Sequence, residues 1–359
     1  MIVSRPRTII FILFVISMIA TSLVFKPILK IAKAKNLVDN PDARKLQKNP
    51  VPVIGGIAVF FGIVVGLCFF KTTINYVDLF STICAMMIML YVGSIDDILD
   101  IPALLRLVLE IGVSLLIIYG TRSLMCNFQG VIGIDRVSLV PGIILSVVAM
   151  VGIMNAINMI DGVDGLSSGL AIFACSCFGV FFFLVHEYSH AALAAVAVGS
   201  LIPFFIHNVF GRETKMFLGD GGSLMVGILL ASMCLTCLRA KDFRYYGNFD
   251  ISSFSLLAFC VSVMSVPVFD TLRVMTERII EKKSPFRADK RHLHHLFLAR
   301  GLKHIQTSLS MIGLNALVVA TWLASYFAGA SVNLQFWITV GMSLLVTLGT
   351  SLILKHSKG

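Results

Sequence analysis

Five short polar runs break an otherwise apolar chain. Asp96 and Asp97 are adjacent. Asn155, Asn158, Asp161 and Asp164 recur every third residue. Asp220 lies within Phe217-Leu-Gly-Asp-Gly-Gly-Ser223. His292, His294 and His295 share one basic segment, and Arg44, Lys45 and Lys48 share another. These residue types suit one task, holding phosphates through a divalent cation. Gathered carboxylates repel each other, and each costs roughly 3 kcal/mol inside a bilayer unless it is paired. A divalent cation relieves both penalties. Mg²⁺ fits best, because it takes hard oxygen ligands and shares them with substrate phosphates; Mn²⁺ is the substitute.

Each run also has a plainer reading, as a solvated helix end, a helix cap, a glycine turn or a topology-setting basic loop. The details favour chemistry. Successive helical residues point about 100° apart, so Asp96 and Asp97 take different partners: one contacts lipid phosphate or metal, and the other organises the site. A three-residue repeat makes one polar stripe on a helix, and Gly162 and Gly165 let the backbone turn closely round a ligand. Asp220 opens a helix whose glycines expose N–H groups suited to phosphate. It is the first choice of metal ligand, with Asp161 beside it. The histidines have no cysteine or acidic residue at zinc-site spacing, so they are read as binding pyrophosphate or sugar. Arg44, Lys45 and Lys48 are read as holding a diphosphate.

The elements that must position these groups are membrane helices. Of 359 residues, 57% are hydrophobic and 13% charged, and mean hydropathy is +0.92. A soluble domain carries about 25% charged residues. Apolar runs, each about one bilayer thick as a helix, fall near 8–30, 54–70, 78–95, 103–120, 139–157, 166–185, 190–208, 218–237, 253–274, 307–328 and 335–354. The expectation is an all-α, polytopic integral-membrane bundle of about eleven helices, with residues 1–359 forming one domain. The first run follows Arg5 and Arg7 and lacks a clear cleavage site, so it reads as a retained span. Most lysines and arginines fall in the odd-numbered loops and the C-terminal tail, which puts the N-terminus outside, the C-terminus in the cytoplasm and all five polar runs on the cytoplasmic side. The net charge of +10 therefore reads as topology and phosphate binding. No interleaved basic and aromatic surface points to nucleic acid. Seven of the eight cysteines, including Cys234 and Cys237 of a CxxC, lie in apolar runs and read as packed thiols.

The ordered set resembles the polyprenyl-phosphate N-acetylhexosamine-1-phosphate transferases. The matching pieces are Asp39-Asn-Pro-Asp-Ala-Arg44-Lys45 with Pro52-Val-Ile-Gly55-Gly56, Gly93-Ser-Ile-Asp96-Asp97, the stretch Asn155 to Gly165, Phe217 to Ser223, and His292-Leu-His294-His295. The resemblance implies a Mg²⁺-dependent multi-pass enzyme of the inner, cytoplasmic membrane. Such an enzyme joins a UDP-activated amino sugar to undecaprenyl phosphate and releases UMP; a homodimer is compatible with it. It implies catalytic roles for Asp96, Asp97, Asp161 and Asp164, a metal role for Asp220, uracil stacking for Phe217 and substrate contact for Asn208. Asn155 and Asn158 belong to the same substrate-binding stretch. Pro267-Val-Phe-Asp270 and the His-Leu-His-His run resemble the UDP-GlcNAc branch, which starts O-antigen and other envelope polysaccharides such as those of lipopolysaccharide. The alternative is the phospho-MurNAc-pentapeptide transferase branch, with three consecutive histidines. Relatives often carry His where this chain has Gln47 and Arg where it has Val53, which weakens the first loop as a phosphate site; Lys48 compensates. A rival from another class, an ion-coupled transporter, needs carboxylates near the midplane on repeated units. No repeat is seen here. An inactive scaffold would not need all five aspartates.

Overall fold

The computed structural model describes residues 6–39, 50–70, 76–239, 251–285 and 289–356. Its helices are α1 (Pro6–Ala34), α2 (Gly55–Cys68), α3 (Tyr76–Leu99), α4 (Ala103–Thr121), α5 (Leu139–Met159), α6 (Leu166–Leu184), α7 (Tyr188–Phe210), α8 (Gly219–Leu238), α9 (Leu256–Val263), α10 (Ser265–Ile280), α11 (Leu293–Ala299), α12 (His304–Phe327), α13 (Val332–Leu344) and α14 (Thr350–His356), with a π turn at Leu345–Gly349 joining the last two. Two small antiparallel pairs complete it: β1 (Val38–Asp39) with β2 (Val51–Pro52), and β3 (Asn127–Val131) with β4 (Ile134–Arg136).

Among the described residues, nine helical stretches are long and apolar enough to cross a membrane, or ten when a bent pair counts as one. The fold is therefore a polytopic helical bundle of membrane type. Two of the expected spans differ in form. The second, α2, has only 14 residues. The ninth is broken: α9 and α10 meet at Met264 with a bend of 75°. A broken helix inside an apolar bundle must satisfy its freed backbone groups from within the protein. Asn315 of α12 does this. Its Oδ1 accepts from Val266 N–H at 2.8 Å, and its Nδ2 donates to the carbonyl of Val263 at 2.9 Å and of Ser262 at 3.4 Å.

α8 lies at the centre. Every residue of it except Asp220 is buried, and it packs against α3, α5, α2 and α6. A helix apolar all round belongs inside a bundle, and α8 reads that way along its length. Its glycines let neighbouring backbones come close. A Cβ on Gly93 of α3 would run into the Asp220–Gly221 backbone, and one on Gly56 of α2 into Gly222. Gly219 has φ +77, a left-handed conformation that suits glycine, and this turns the chain from the 216–218 segment into α8. That segment is pinned by Phe217 N–H to the Pro52 carbonyl (2.7 Å) and by Gly55 and Gly56 N–H to the Phe217 and Leu218 carbonyls (3.0 Å each).

Candidate active site

Because neighbouring helices alternate in direction, the C-terminal ends of α3 and α5 lie beside the N-terminal ends of α6 and α8. Their polar residues meet there. Asp97, exposed in the last turn of α3, accepts the backbone N–H of Asp220 at 3.2 Å and of Gly221 at 3.5 Å. Asn158, in the last turn of α5, donates its amide to Asp220 Oδ1 and to Ser223 Oγ, both at 3.0 Å. Asp161 follows in the turn between α5 and α6, where Ser167 Oγ donates a short hydrogen bond to it. Burial pushes the Asp161 carboxyl well above the usual carboxylate range. Asp220, Asp97 and Asp164 add to this by repulsion, and the Ser167 bond opposes it only in part.

Asp96 and Asp97 divide their duties. Asp96 is buried; its Oδ2 pairs with Arg106 Nη1 at 2.9 Å, and its Oδ1 accepts Ile101 N–H at 3.0 Å. It fixes the corner between α3 and α4, while Asp97 faces α8. Asp164 is also anchored, with Lys215 Nζ at 2.6 Å and His304 Nδ1 at 2.9 Å. Burial would raise its pKa, but the bonds from His304 and Lys215 prevail and hold it below the usual range. Asp164 thus ties the turn before α6 to α12 and to the segment before α8. Lys215 lies over the Phe217 ring, 5.5 Å from its centroid.

The described donor set can be compared with a cation's needs. Asp97, Asp161 and Asp220 come from three separate elements and repel one another. Neither Asp97 nor Asp161 has an ion-pair partner among the described residues. No group of three or more His, Cys, Asp or Glu side chains among those residues is arranged as a metal cage. Mg²⁺ does not need one, since it binds through one or two carboxylates together with substrate phosphates and water. Asp220 and Asp161 fit that pattern.

The histidine run builds a second cluster. His292 Nδ1 lies 3.0 Å from Asp270 Oδ2, and Leu293 N–H reaches the same carboxylate at 3.1 Å. The rings follow one another, His292 to His294 at 5.6 Å and His294 to His295 at 4.2 Å. Burial pushes His294 well below the usual histidine range. Burial, with repulsion from His292 and Lys290, pushes His295 down to about 4. Both shifts favour the uncharged ring at neutral pH.

Three expectations are corrected. The stripe from Asn155 to Asp164 is not one helical face, because α5 ends at Met159. Asn155 turns away and donates to Glu110 Oε2 of α4 at 2.6 Å. Asn208 is not placed as a substrate contact: it is 4% exposed, accepts Gly165 N–H at 2.6 Å and donates to the Met216 carbonyl at 2.9 Å, so it braces the two loops that carry Asp164 and Phe217. The first N–H groups of α8 are not all free for phosphate, because Asp97 takes two of them. Arg44, Lys45 and Lys48, with Gln47, lie outside the described residues.

Several partners escaped sequence reasoning. Glu110 and Arg106 carried a readable signal, ionisable groups in an apolar span. Ser167, Lys215 and His304 carried none, since only folding brings them to Asp161 and Asp164.

Residues 79–238 match the model of glycosyl transferase family 4. This agrees with the resemblance drawn from the motifs: from α3 through α8 the chain is similar to that family. Among its relatives is the undecaprenyl-phosphate alpha-N-acetylglucosaminyl 1-phosphate transferase of Escherichia coli strain K12, 26% identical over 88% of this chain and 83% of the relative. A Bacillus subtilis protein, named as a probable undecaprenyl-phosphate N-acetylglucosaminyl 1-phosphate transferase, is 29% identical over 92% and 90%. The decaprenyl-phosphate N-acetylglucosaminephosphotransferase of Mycobacterium tuberculosis is 28% identical over 86% and 79%.

Proposed function

We propose that the protein transfers N-acetylhexosamine-1-phosphate, specifically GlcNAc-1-phosphate, from its UDP-sugar to undecaprenyl phosphate and releases UMP. This is the first membrane step of an envelope polysaccharide. The observation that carries the reading is the meeting of Asp97, Asp161, Asp220 and Asn158 where α3 and α5 end and α8 begins. The named relatives support the lipid acceptor and the sugar. The gathering of the described aspartate and glycine motifs at one end of the bundle supports a single site on the cytoplasmic face of the inner membrane, with the N-terminus outside and the C-terminus inside. Counting α2 and the bent pair as spans gives the eleven crossings that this orientation uses.

In this reaction an oxygen of the lipid phosphate attacks the β-phosphorus of the UDP-sugar. A new phosphoanhydride forms as the bond to the UMP oxygen breaks, so no outside energy source is needed. Phosphoryl transfer of this kind is mostly positioning and charge neutralisation. Asp220 and Asp161 would hold Mg²⁺, which when bound neutralises the diphosphate. Asn158 orients Asp220. Asp97 is the exposed carboxylate placed to meet the lipid phosphate, and Asp96 fixes its helix end through Arg106. Phe217 and the histidines His292, His294 and His295 serve the nucleotide and sugar.

The test is UMP release by purified protein, given undecaprenyl phosphate and a panel of UDP-sugars, with and without Mg²⁺. Release confined to UDP-N-acetylhexosamines and abolished by chelator is expected. Asp220→Ala should lower turnover at least about 100-fold, the scale of a key electrostatic group. No UMP release from any UDP-sugar, or near-normal turnover in folded Asp220→Ala, rejects the reading.

A further inference from the structure

The last helical stretch carries buried polar residues spaced four apart: Gln335, Thr339, Ser343, Thr347 and Ser351, none more than 3% exposed. On a straight α-helix a spacing of four advances about 40° per step. The row would drift about 160° from first to last, and Ser351 would leave the inner face. The π turn at Leu345–Gly349 prevents this. Such a turn accommodates one extra residue, holding back about 100° of drift, and π turns inside α-helices collect at functional sites.

What the turn delivers is a contact. Ser351 Oγ accepts from Arg273 Nη1 at 3.1 Å. Arg273 is 6% exposed in α10. The same Nη1 donates to Glu277 Oε1 at 2.8 Å, which Lys355 of α14 also holds at 2.9 Å. Its Nη2 donates to Asp270 Oδ1 at 2.7 Å and to the Arg291 carbonyl at 2.8 Å, one residue before His292. Asp270, fully buried, takes the His292 ring on its other oxygen. A carboxylate on Nδ1 sets the tautomer and orientation of an imidazole and leaves Nε2 for another partner.

We infer that Ser351 and the π turn preceding it are positioning elements for His292, acting through the chain Ser351–Arg273–Asp270–His292. The inference rests on the reading that His292 serves the UDP-sugar. The final helix is then part of the working site although it carries none of the motifs. Asp270 and Arg273 form the rigid middle of the chain, and Ser351 tunes it from the far side.

The experiment measures steady-state UMP release by full-length protein against UDP-GlcNAc concentration. Ser351→Ala should raise KM about 3- to 10-fold, the scale of one hydrogen bond, with kcat changed less than about twofold. Ser351→Thr, which keeps the hydroxyl, should restore KM. One alanine inserted between Gly349 and Thr350 turns Ser351 away by about 100° and should reproduce the alanine effect. In an Asp270→Asn background Ser351→Ala should cost nothing further, because the chain is already broken. Wild-type KM in Ser351→Ala, a Thr variant as impaired as the Ala variant, or full additivity with Asp270→Asn overturns the inference. If the insertion does not fold, the Ala and Thr variants decide alone. Normal kinetics in His292→Asn would instead reject the role given to His292, a separate and recognisable failure.

Discussion

Asn158 offers the sharpest test of how the carboxylate cluster works, because its amide has two identified acceptors and no charge of its own. It donates to Asp220 Oδ1 and Ser223 Oγ at 3.0 Å each. Replacing it with alanine deletes a hydrogen bond to an ionised group, worth about 1.5–3 kcal/mol. At about 1.4 kcal/mol per tenfold this is a factor of roughly 10 to 150 in the affinity that depends on Asp220. Loss of a group that orients a metal ligand has the same scale, about 10- to 100-fold in metal affinity. The expected outcome for Asn158→Ala is therefore a rise of about 10- to 100-fold in the Mg²⁺ concentration giving half-maximal UMP release, with much of the activity recovered at saturating Mg²⁺. Asn158→Asp, nearly the same shape, sets a carboxyl beside Asp220 in place of the donor. The two variants should differ in behaviour although both lose the amide. The assay is UMP release across a Mg²⁺ titration at saturating UDP-GlcNAc and lipid phosphate. An unchanged Mg²⁺ midpoint in folded Asn158→Ala, with turnover lost at every concentration, refutes the argument and assigns Asn158 to the substrate.

Arg106→Ala leaves Asp96 buried without its ion pair; because Arg106 is partly exposed, the loss should fall near 1–3 kcal/mol, below the 3–5 typical of fully buried pairs, and thermal unfolding in detergent measures it. Asn315→Leu strips the break between α9 and α10 of its hydrogen bonds and should cost about 2–6 kcal/mol, from about 1–3 for each of the Val266 N–H and Val263 carbonyl left unsatisfied, while leaving the Mg²⁺ midpoint unmoved; a shifted midpoint with unaltered melting would contradict this. Acidification should destabilise the histidine segment. His295 has a folded pKa of about 4, below the ordinary value of about 6.5. The unfolded chain therefore binds the extra proton first, and stability present above pH 6.5 is lost as pH falls toward 4. Removing the ring by His295→Gln should flatten melting temperature against pH over that window, and an unaltered slope would show that the ring is not buried neutral.

The residue row itself determined a great deal. Repeated bilayer-length apolar runs cannot be accommodated by a soluble domain, so the helical membrane bundle followed from composition and period alone. The ordered carboxylate, glycine and histidine runs pointed to phosphate chemistry and to a family resemblance, because few reactions need those groups together. The tertiary structure decided which polar group meets which. Asp96 and Asp97 are neighbours in sequence, yet helical rotation sends one to Arg106 and the other to α8. Asn155 and Asn158 look like one stripe, but α4 captures the first and α8 the second. The 253–274 run reads as one span because Pro267, near the start of α10, breaks no periodicity; the bend survives because Asn315, from a distant helix, satisfies the opened backbone. Lys215 and His304 find Asp164 only when α6, α7 and α12 pack. Hydrophobic period is local and survives in a string of letters. Pairing between buried polar groups depends on the direction and rotation of whole helices, and those are set by the packing of the entire bundle.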